Sequence, residues 1–250
     1  MNARYAVYFI PDPGTALATL GSTLLGRDSE TGRAIPQTHL PGFSSQCLRD
    51  LTADARRYGL HATLKAPFFL EQGMTEHELL LAAANFAMNG QNIILPRLEL
   101  VCIGSFFALV PSEKNTEEQK AVKSINILAA DAVSFFDSFR ATPSEQEIAR
   151  RNPQKLTERQ RTFLAEWGYP YVFDEYRFHI TLTDNLRNSG EAHCMEECLR
   201  AYFTPVCNEE IIVSSICVCR QITSDPASIA DAHPDSNGSA FMPIKRFGFQ

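Results

Sequence analysis

One five-residue pattern occurs twice in this chain, and each copy sits in a run with the composition of a β-strand. The copies are Leu60-His61-Ala62-Thr63-Leu64 and Phe178-His179-Ile180-Thr181-Leu182. Strand alternation places His61 and Thr63 on one face, with Leu60, Ala62 and Leu64 on the other. His179 and Thr181 are arranged in the same way, backed by Phe178, Ile180 and Leu182. An apolar set on one side and imidazole plus hydroxyl on the other is how a sheet presents a polar cleft from a buried base. With 6 histidines in 250 residues, chance supplies roughly 0.4 matches to His-x-Thr. Two matches, both followed by leucine and both in strand-like runs, arise on the order of once in a thousand such sequences.

The rest of the chain sets these motifs in an α+β frame. Residues 4–10 read as a strand ended by Pro11, and residues 60–70 as a strand interrupted or ended near Pro67. Residues 97–110 read as a hairpin turning at Gly104-Ser105. Residues 28–42 have the composition of a long loop, 44–57 of a short helix, and 75–88 of a capped helix. Residues 117–139 and 155–167 read as helices, 171–184 as strand, and 192–203 as a helix. Strands at 211–222 and 241–249 flank a loop over 224–239. Strands therefore fall before residue 111 and after residue 170 with helices between, which favours α+β with mainly antiparallel sheets over a βαβ winding. No Gly-x-Gly-x-x-Gly or Walker-type loop is present, so nothing here indicates a nucleotide cofactor held by a helix N-terminus.

Charge and cysteine content narrow the function classes. Lys and Arg number 23 against 29 Asp and Glu, a net charge of −6. An acidic chain is not built for unselective binding to duplex DNA, whose affinity comes from phosphate neutralisation, although a small anion needs only a few local cations. The 7 cysteines are scattered without a Cys-x-x-Cys, which reads as reduced thiols in a cytoplasmic protein. His193, Cys194 and Cys198 cluster, as do Cys217 and Cys219, but the four-ligand spacing of a zinc site is missing. The apolar run near the N-terminus is too short for a signal-peptide core, and no stretch approaches the roughly 20 apolar residues that span a bilayer.

The chemistry follows from the paired motifs. Two histidines can share general base and general acid duty at one phosphorus centre, and neighbouring hydroxyls can bond the non-bridging oxygens. Four residues after His61 comes Lys65, and two before His179 comes Arg177, so alternation puts one cation on each histidine face. Tyr58, three residues before His61, and Tyr5 in the first strand are candidates to stack on a base or bond a phosphate. His39, His77, His193 and His233 read as surface residues, and Ser44, Ser45 and Cys47 lack a nucleophile-elbow motif.

With these residues in place, the sequence resembles the 2H phosphoesterases, named for two His-x-Ser/Thr motifs, and most of all a bacterial subgroup of unknown function associated with phosphonate metabolism. The stretches at 4–11, 57–70 and 176–186 carry the likeness, which extends over most of the chain. It implies a single bilobal domain over 1–250, with pseudo-two-fold symmetry, two mainly antiparallel sheets around a central cleft and helices outside. Motif strands would lie at 60–66 and 177–183, with a helical insertion at about 113–167. The resemblance further implies that His61 and His179 are the acid/base pair, that Thr63 and Thr181 bind phosphate, and that no metal or cofactor takes part. The expected substrate is a small cyclic phosphodiester, either a nucleoside 2′,3′-cyclic phosphate or a phosphonate-derived ribose cyclic phosphate. An RNA 2′-5′ ligase or RNA-end processing enzyme, and a non-catalytic phosphate-ligand binding protein, are the alternatives.

Overall fold

The run Arg4–Phe9 forms strand β1 and is buried along almost its whole length, because it lies inside a four-stranded sheet ordered β2 (Ala62–Phe69), β1, β8 (Ser215–Thr223), β9 (Ser239–Gly248). A strand covered on both faces reads as continuous apolar sequence. In this computed structural model, which describes residues 3–186, 189–207, 209–223 and 239–250, Tyr5, Val7 and Phe9 face the main core. Ala6, Tyr8 and Ile10 face a smaller cluster with Cys217, Cys219 and Phe241.

Helix α1 (Ala16–Leu25) is capped by Thr15 and ended by Gly26 in the left-handed conformation. The single helix expected at 44–57 is two, α2 (Ser45–Asp50) and α3 (Ala53–Tyr58). The break falls at buried Thr52, whose hydroxyl donates back to the Leu48 carbonyl and receives bonds from Gln37 and Arg56. Strand β2 (Ala62–Phe69) continues through Pro67. As the outer strand of its sheet it tolerates a residue that cannot donate to a ladder.

Helix α4 (Glu76–Met88) opens with a Thr75/Glu78 capping box. Strand β3 (Ile93–Leu95) pairs with β7 (Ile211–Val213). Strands β4 (Leu98–Ile103) and β5 (Phe106–Pro111) form the expected hairpin, with Gly104 at φ 63° in its turn. The middle of the chain holds α5 (Thr116–Phe135), α6 (Glu145–Arg150) and α7 (Glu158–Trp167).

The strand expected over 171–184 is reduced to β6 (Ile180–Thr181), the third strand of the sheet β4-β5-β6. Upstream of it the Phe173 ring packs against Phe163 and Trp167 of α7, and its backbone turns to φ 55°, so this segment leaves strand geometry. Helix α8 (Ser189–Phe203) is followed by β8 (Ser215–Thr223) and β9 (Ser239–Gly248). The loop expected between them lies almost wholly outside the described residues. All ladders are antiparallel, and the two larger sheets carry one motif each. Among the described residues, no helix is long and apolar enough to cross a membrane.

Candidate active site

His61 stands one residue ahead of β2, where α3 ends. Gly59 closes that helix at φ 75°, and Leu60 is buried so tightly against Gly21 of α1 that any β-carbon there would overlap it. The Leu60 amide donates to Ser29 Oγ at 2.9 Å, which ties the 27–34 loop to the motif. His61 Nδ1 lies 2.8 Å from the Gly59 carbonyl. A carbonyl only accepts, so Nδ1 carries the proton and Nε2 presents a lone pair. The imidazole rests against the Tyr8 ring, centroids 4.0 Å apart, with Tyr58 at 6.0 Å. Thr63 lies directly across from Tyr8 and shares its face.

The second motif repeats the arrangement. His179 stands one residue ahead of β6, and its Nδ1 donates to the Arg177 carbonyl at 2.8 Å. Phe106 flanks the ring at 6.1 Å. Thr181 pairs across from Ala108, while Thr183 is buried and accepts from the Phe107 amide. Among the described residues, neither Thr63 nor Thr181 commits its hydroxyl to a partner.

Two connections hold the motifs in register. Phe178 and Phe9, on their apolar backs, meet at 6.0 Å in the shared core. The Asp184 carboxylate accepts from the Asp54 and Ala55 amides at 2.9 and 3.0 Å, so it caps α3 from the far end of the chain. Thr52, at the usual capping position, makes no such bond. Burial of the His61 imidazole lowers its pKa to about 4; nearby His179 and Arg27 act in the same direction, partly opposed by the Gly59 carbonyl. His61 is therefore neutral at pH 7.

Arg27 forms the floor of this region. Its buried guanidinium donates to the carbonyls of Gly32, Arg56, Arg57 and Phe241. Burial lowers its pKa to about 10, which still leaves it charged at neutral pH.

The two cations expected on the histidine faces have different fates. Between Tyr8 and Val7 the partner on β2 moves from Thr63 to Lys65, a β-bulge that inserts Leu64. Lys65 thereby comes opposite core residue Val7 instead of staying on the His61 face. It is buried, donating to the Val133 carbonyl at 2.9 Å and to Asp137 at 2.8 Å, and so fastens β2 to the end of α5. Arg177 is exposed and adjoins His179 through its own carbonyl.

Of the two tyrosines, Tyr58 lies beside His61. Tyr5 faces the opposite side of β1, where its hydroxyl donates to Glu76 at 3.0 Å. Its place against the imidazole is taken by Tyr8, three residues on and therefore on the other face. Neither Tyr8 nor Arg27 was foreseen from the sequence. Only the spacing of Tyr8 from Tyr5, read with the ladder register, would have singled one of them out.

Among the described residues, no three His, Cys, Asp or Glu side chains are grouped to hold a metal, and all seven cysteines are free. A separate apolar hollow is lined by His39, Leu40, Pro41, Cys198 and Tyr202, none of which belongs to either motif.

Comparison with known proteins gives one family match. The model of a protein of unknown function, DUF1045, matches residues 63–227. Two proteins named ribose 1,5-bisphosphate phosphokinase PhnN are similar to the chain. That of Janthinobacterium sp. (strain Marseille) is 40% identical over 186 residues, 74% of this chain and 40% of its own length. That of Laribacter hongkongensis (strain HLHK9) is 36% identical over 187 residues, 73% and 40%. The chain thus spans well under half the length of these curated relatives. Among solved structures, E. coli LigT complexed with 3′-AMP aligns over 100% of this chain and 99% of its own at 12% identity and TM-score 0.40. TT0787 of Thermus thermophilus aligns over 98% and 97% at 12% identity and TM-score 0.37.

Proposed function

The chain belongs to the DUF1045 family of proteins of unknown function, and we propose that this member is a metal-independent phosphodiesterase that opens a small cyclic phosphodiester. The substrate is a nucleoside 2′,3′-cyclic phosphate or a ribose cyclic phosphate. The observation that carries this reading is the matched pair of imidazoles. Each spends Nδ1 on the carbonyl two residues before it, which frees Nε2, and each has an uncommitted threonine hydroxyl two residues after it. Relatives named for a ribose bisphosphate kinase add support for a phosphorylated sugar.

The environments divide the roles. His61, held neutral by burial, is the base, and its Nε2 takes a proton from water as the water oxygen attacks phosphorus. His179, whose anchoring bond lies at the surface, is the acid. Acting in its doubly protonated form, with Nδ1–H still on the Arg177 carbonyl, it gives its Nε2 proton to the sugar oxygen as the P–O bond breaks, leaving a phosphomonoester and a free hydroxyl. Thr63 and Thr181 donate to the non-bridging oxygens, where charge accumulates. Proton exchange with solvent then restores both rings.

The test is turnover of a panel of nucleoside and ribose cyclic phosphates. His61→Ala and His179→Ala are each expected to lower kcat/KM by about 10²–10⁴-fold with unchanged circular dichroism, and EDTA is expected to have no effect. The acid limb of the wild-type pH–rate profile is expected to extend down toward pH 4, where His61 protonates. Wild-type rates in either variant, or loss of turnover with EDTA, would overturn the mechanism.

A further inference from the structure

Three arginines from distant parts of the chain gather on the aromatic residues that flank His61 on its Tyr58 side, and the chemistry above uses none of them. Arg4 opens β1, Arg57 lies in the last turn of α3, and Arg151 follows α6. Arg57 and Arg4 are joined to the site by an aromatic stack. The Arg57 guanidinium lies 4.8 Å over the Tyr58 ring and donates to the Tyr58 hydroxyl at 2.7 Å. Tyr58 stacks on Phe241 at 5.1 Å with 17° between planes, and Arg4 lies 5.6 Å over Phe241. Arg151 covers Tyr169 at 4.9 Å. Arg4 feels the charges of both Arg57 and Arg151, which add to burial in lowering its pKa, while Tyr169 lies within electrostatic reach of Tyr8 and Tyr58.

Elsewhere, Arg140, Arg159, Arg200, Arg220 and Arg246 are each paired with a carboxylate. Among the described residues, Arg4, Arg57 and Arg151 have no such partner, a property they share with Arg27, Arg33, Arg97, Arg150, Arg161 and Arg177, but they alone stack on the aromatic residues near His61. Arg4 bonds only the neutral Gln221 amide, and Arg57 Nε is buried with no hydrogen-bond partner at all. In a protein of net charge −6, Arg4, repelled by both other guanidinium groups, and Arg57, with its buried unpartnered Nε, are unfavourably placed until an anion arrives. Aromatic stacking fixes their planes in advance, which suits the forked recognition of phosphate oxygens.

We propose that Arg4, Arg57 and Arg151 form a second anion subsite beside His61, which holds a non-reacting phosphomonoester of the substrate. This rests on the phosphodiesterase reading and narrows it: the substrate is a cyclic phosphodiester that bears a second, terminal phosphate on the same sugar or nucleoside. The reacting phosphate lies between the two Nε2 atoms and the threonines, and the terminal phosphate lies beyond Tyr58.

The experiment is calorimetric titration of the protein with adenosine 2′,3′-cyclic phosphate and with its 5′-phosphorylated counterpart at one ionic strength. The 5′-phosphorylated ligand is expected to bind at least ~10-fold more tightly, as one charge-assisted contact of a phosphate requires. In Arg57→Met and in Arg151→Met the ratio of the two affinities is expected to fall toward one, and Arg151→Lys is expected to keep part of it. A ratio near one in the wild type, or an unchanged ratio in both methionine variants, overturns the subsite. Affinity that climbs with oligonucleotide length also overturns it, in favour of an RNA track. The ratio is read without turnover. A retained ratio with no hydrolysis of either ligand removes the phosphodiesterase reading alone, whereas hydrolysis with no ratio removes the subsite alone.

Discussion

At the scale of single residues, His61 couples the site to the stability of the protein. Its pKa is lowered to about 4 in the folded state, against about 6.5 in an unfolded chain. Above pH 6.5 both states hold it neutral and its contribution is fully present. As pH falls from 6.5 toward 4 the unfolded chain takes up a proton that the folded protein resists, and stability is lost. Allowing for solvent screening, the loss is on the order of 2 kcal/mol. Urea denaturation at several pH values is expected to show this slope in the wild type and a shallower one in His61→Gln; parallel slopes would show that His61 is not held neutral by the fold. Both histidines and both threonines were legible in the sequence because residue type and alternation suffice to mark them. Lys65 was not, because the bulge at Leu64 turns it to the core face before a second register shift, between Val7 and Tyr5, restores the alternation, and no glycine or proline stands at Leu64 to announce it. Arg4, Arg57 and Arg151 were not, because their meeting depends on tertiary folding.

At the scale of elements, α3 sets the position of His61. A two-turn helix is too short to persist by propensity alone, and this one is held at both ends by remote residues. Asp184 caps its first amides, and the Arg27 guanidinium takes the carbonyls of Arg56 and Arg57 in its last turn. Asp184→Ala is expected to cost about 1 kcal/mol, a fall in Tm of roughly 2–4 °C for a chain of this size. Hydrogen exchange at the Asp54 and Ala55 amides is expected to accelerate together with that fall. Unchanged protection of those amides would mean that α3 is held from elsewhere. The β4–β5 hairpin and α4 could be read from sequence because their turn and cap signals are local. The shortened β6 could not, since the alternation of residues 171–179 is overridden by the packing of Phe173 on Phe163 and Trp167.

At the scale of the whole molecule, the order β2-β1-β8-β9 makes the first strand an inner one. Tyr8 finds Thr63 on one side and Cys217 on the other, so the sheet beneath His61 closes only when its last two strands dock. A single apolar cluster joins Val7, Phe9 and Leu64 of that sheet to Leu109, Ile180 and Leu182 of the other. The two motif-bearing sheets are therefore expected to unfold as one cooperative unit. The single tryptophan, Trp167, lies against Phe173 on the approach to His179, and its fluorescence reports on that side alone. In guanidinium its transition is expected to coincide with the far-ultraviolet circular dichroism transition. Two separated midpoints would show that the lobes are thermodynamically independent.

The helical segment between the sheets gives this arrangement an evolutionary grain. Both imidazoles and both threonines belong to segments fixed by sheet pairing and by the common core, where a change of shape disturbs everything around it. Arg151, by contrast, comes from the short α6 turn, which contributes no buried residue of its own. The residues to which the proposed function assigns proton transfer are thus held where the fold tolerates least change. Of the three arginines, Arg4 and Arg57 lie on β1 and α3, and only Arg151 hangs on a surface module, where insertions and substitutions cost little. Under that assignment, the module around Arg151 is the part of the site that can be rewritten without disturbing the paired motifs.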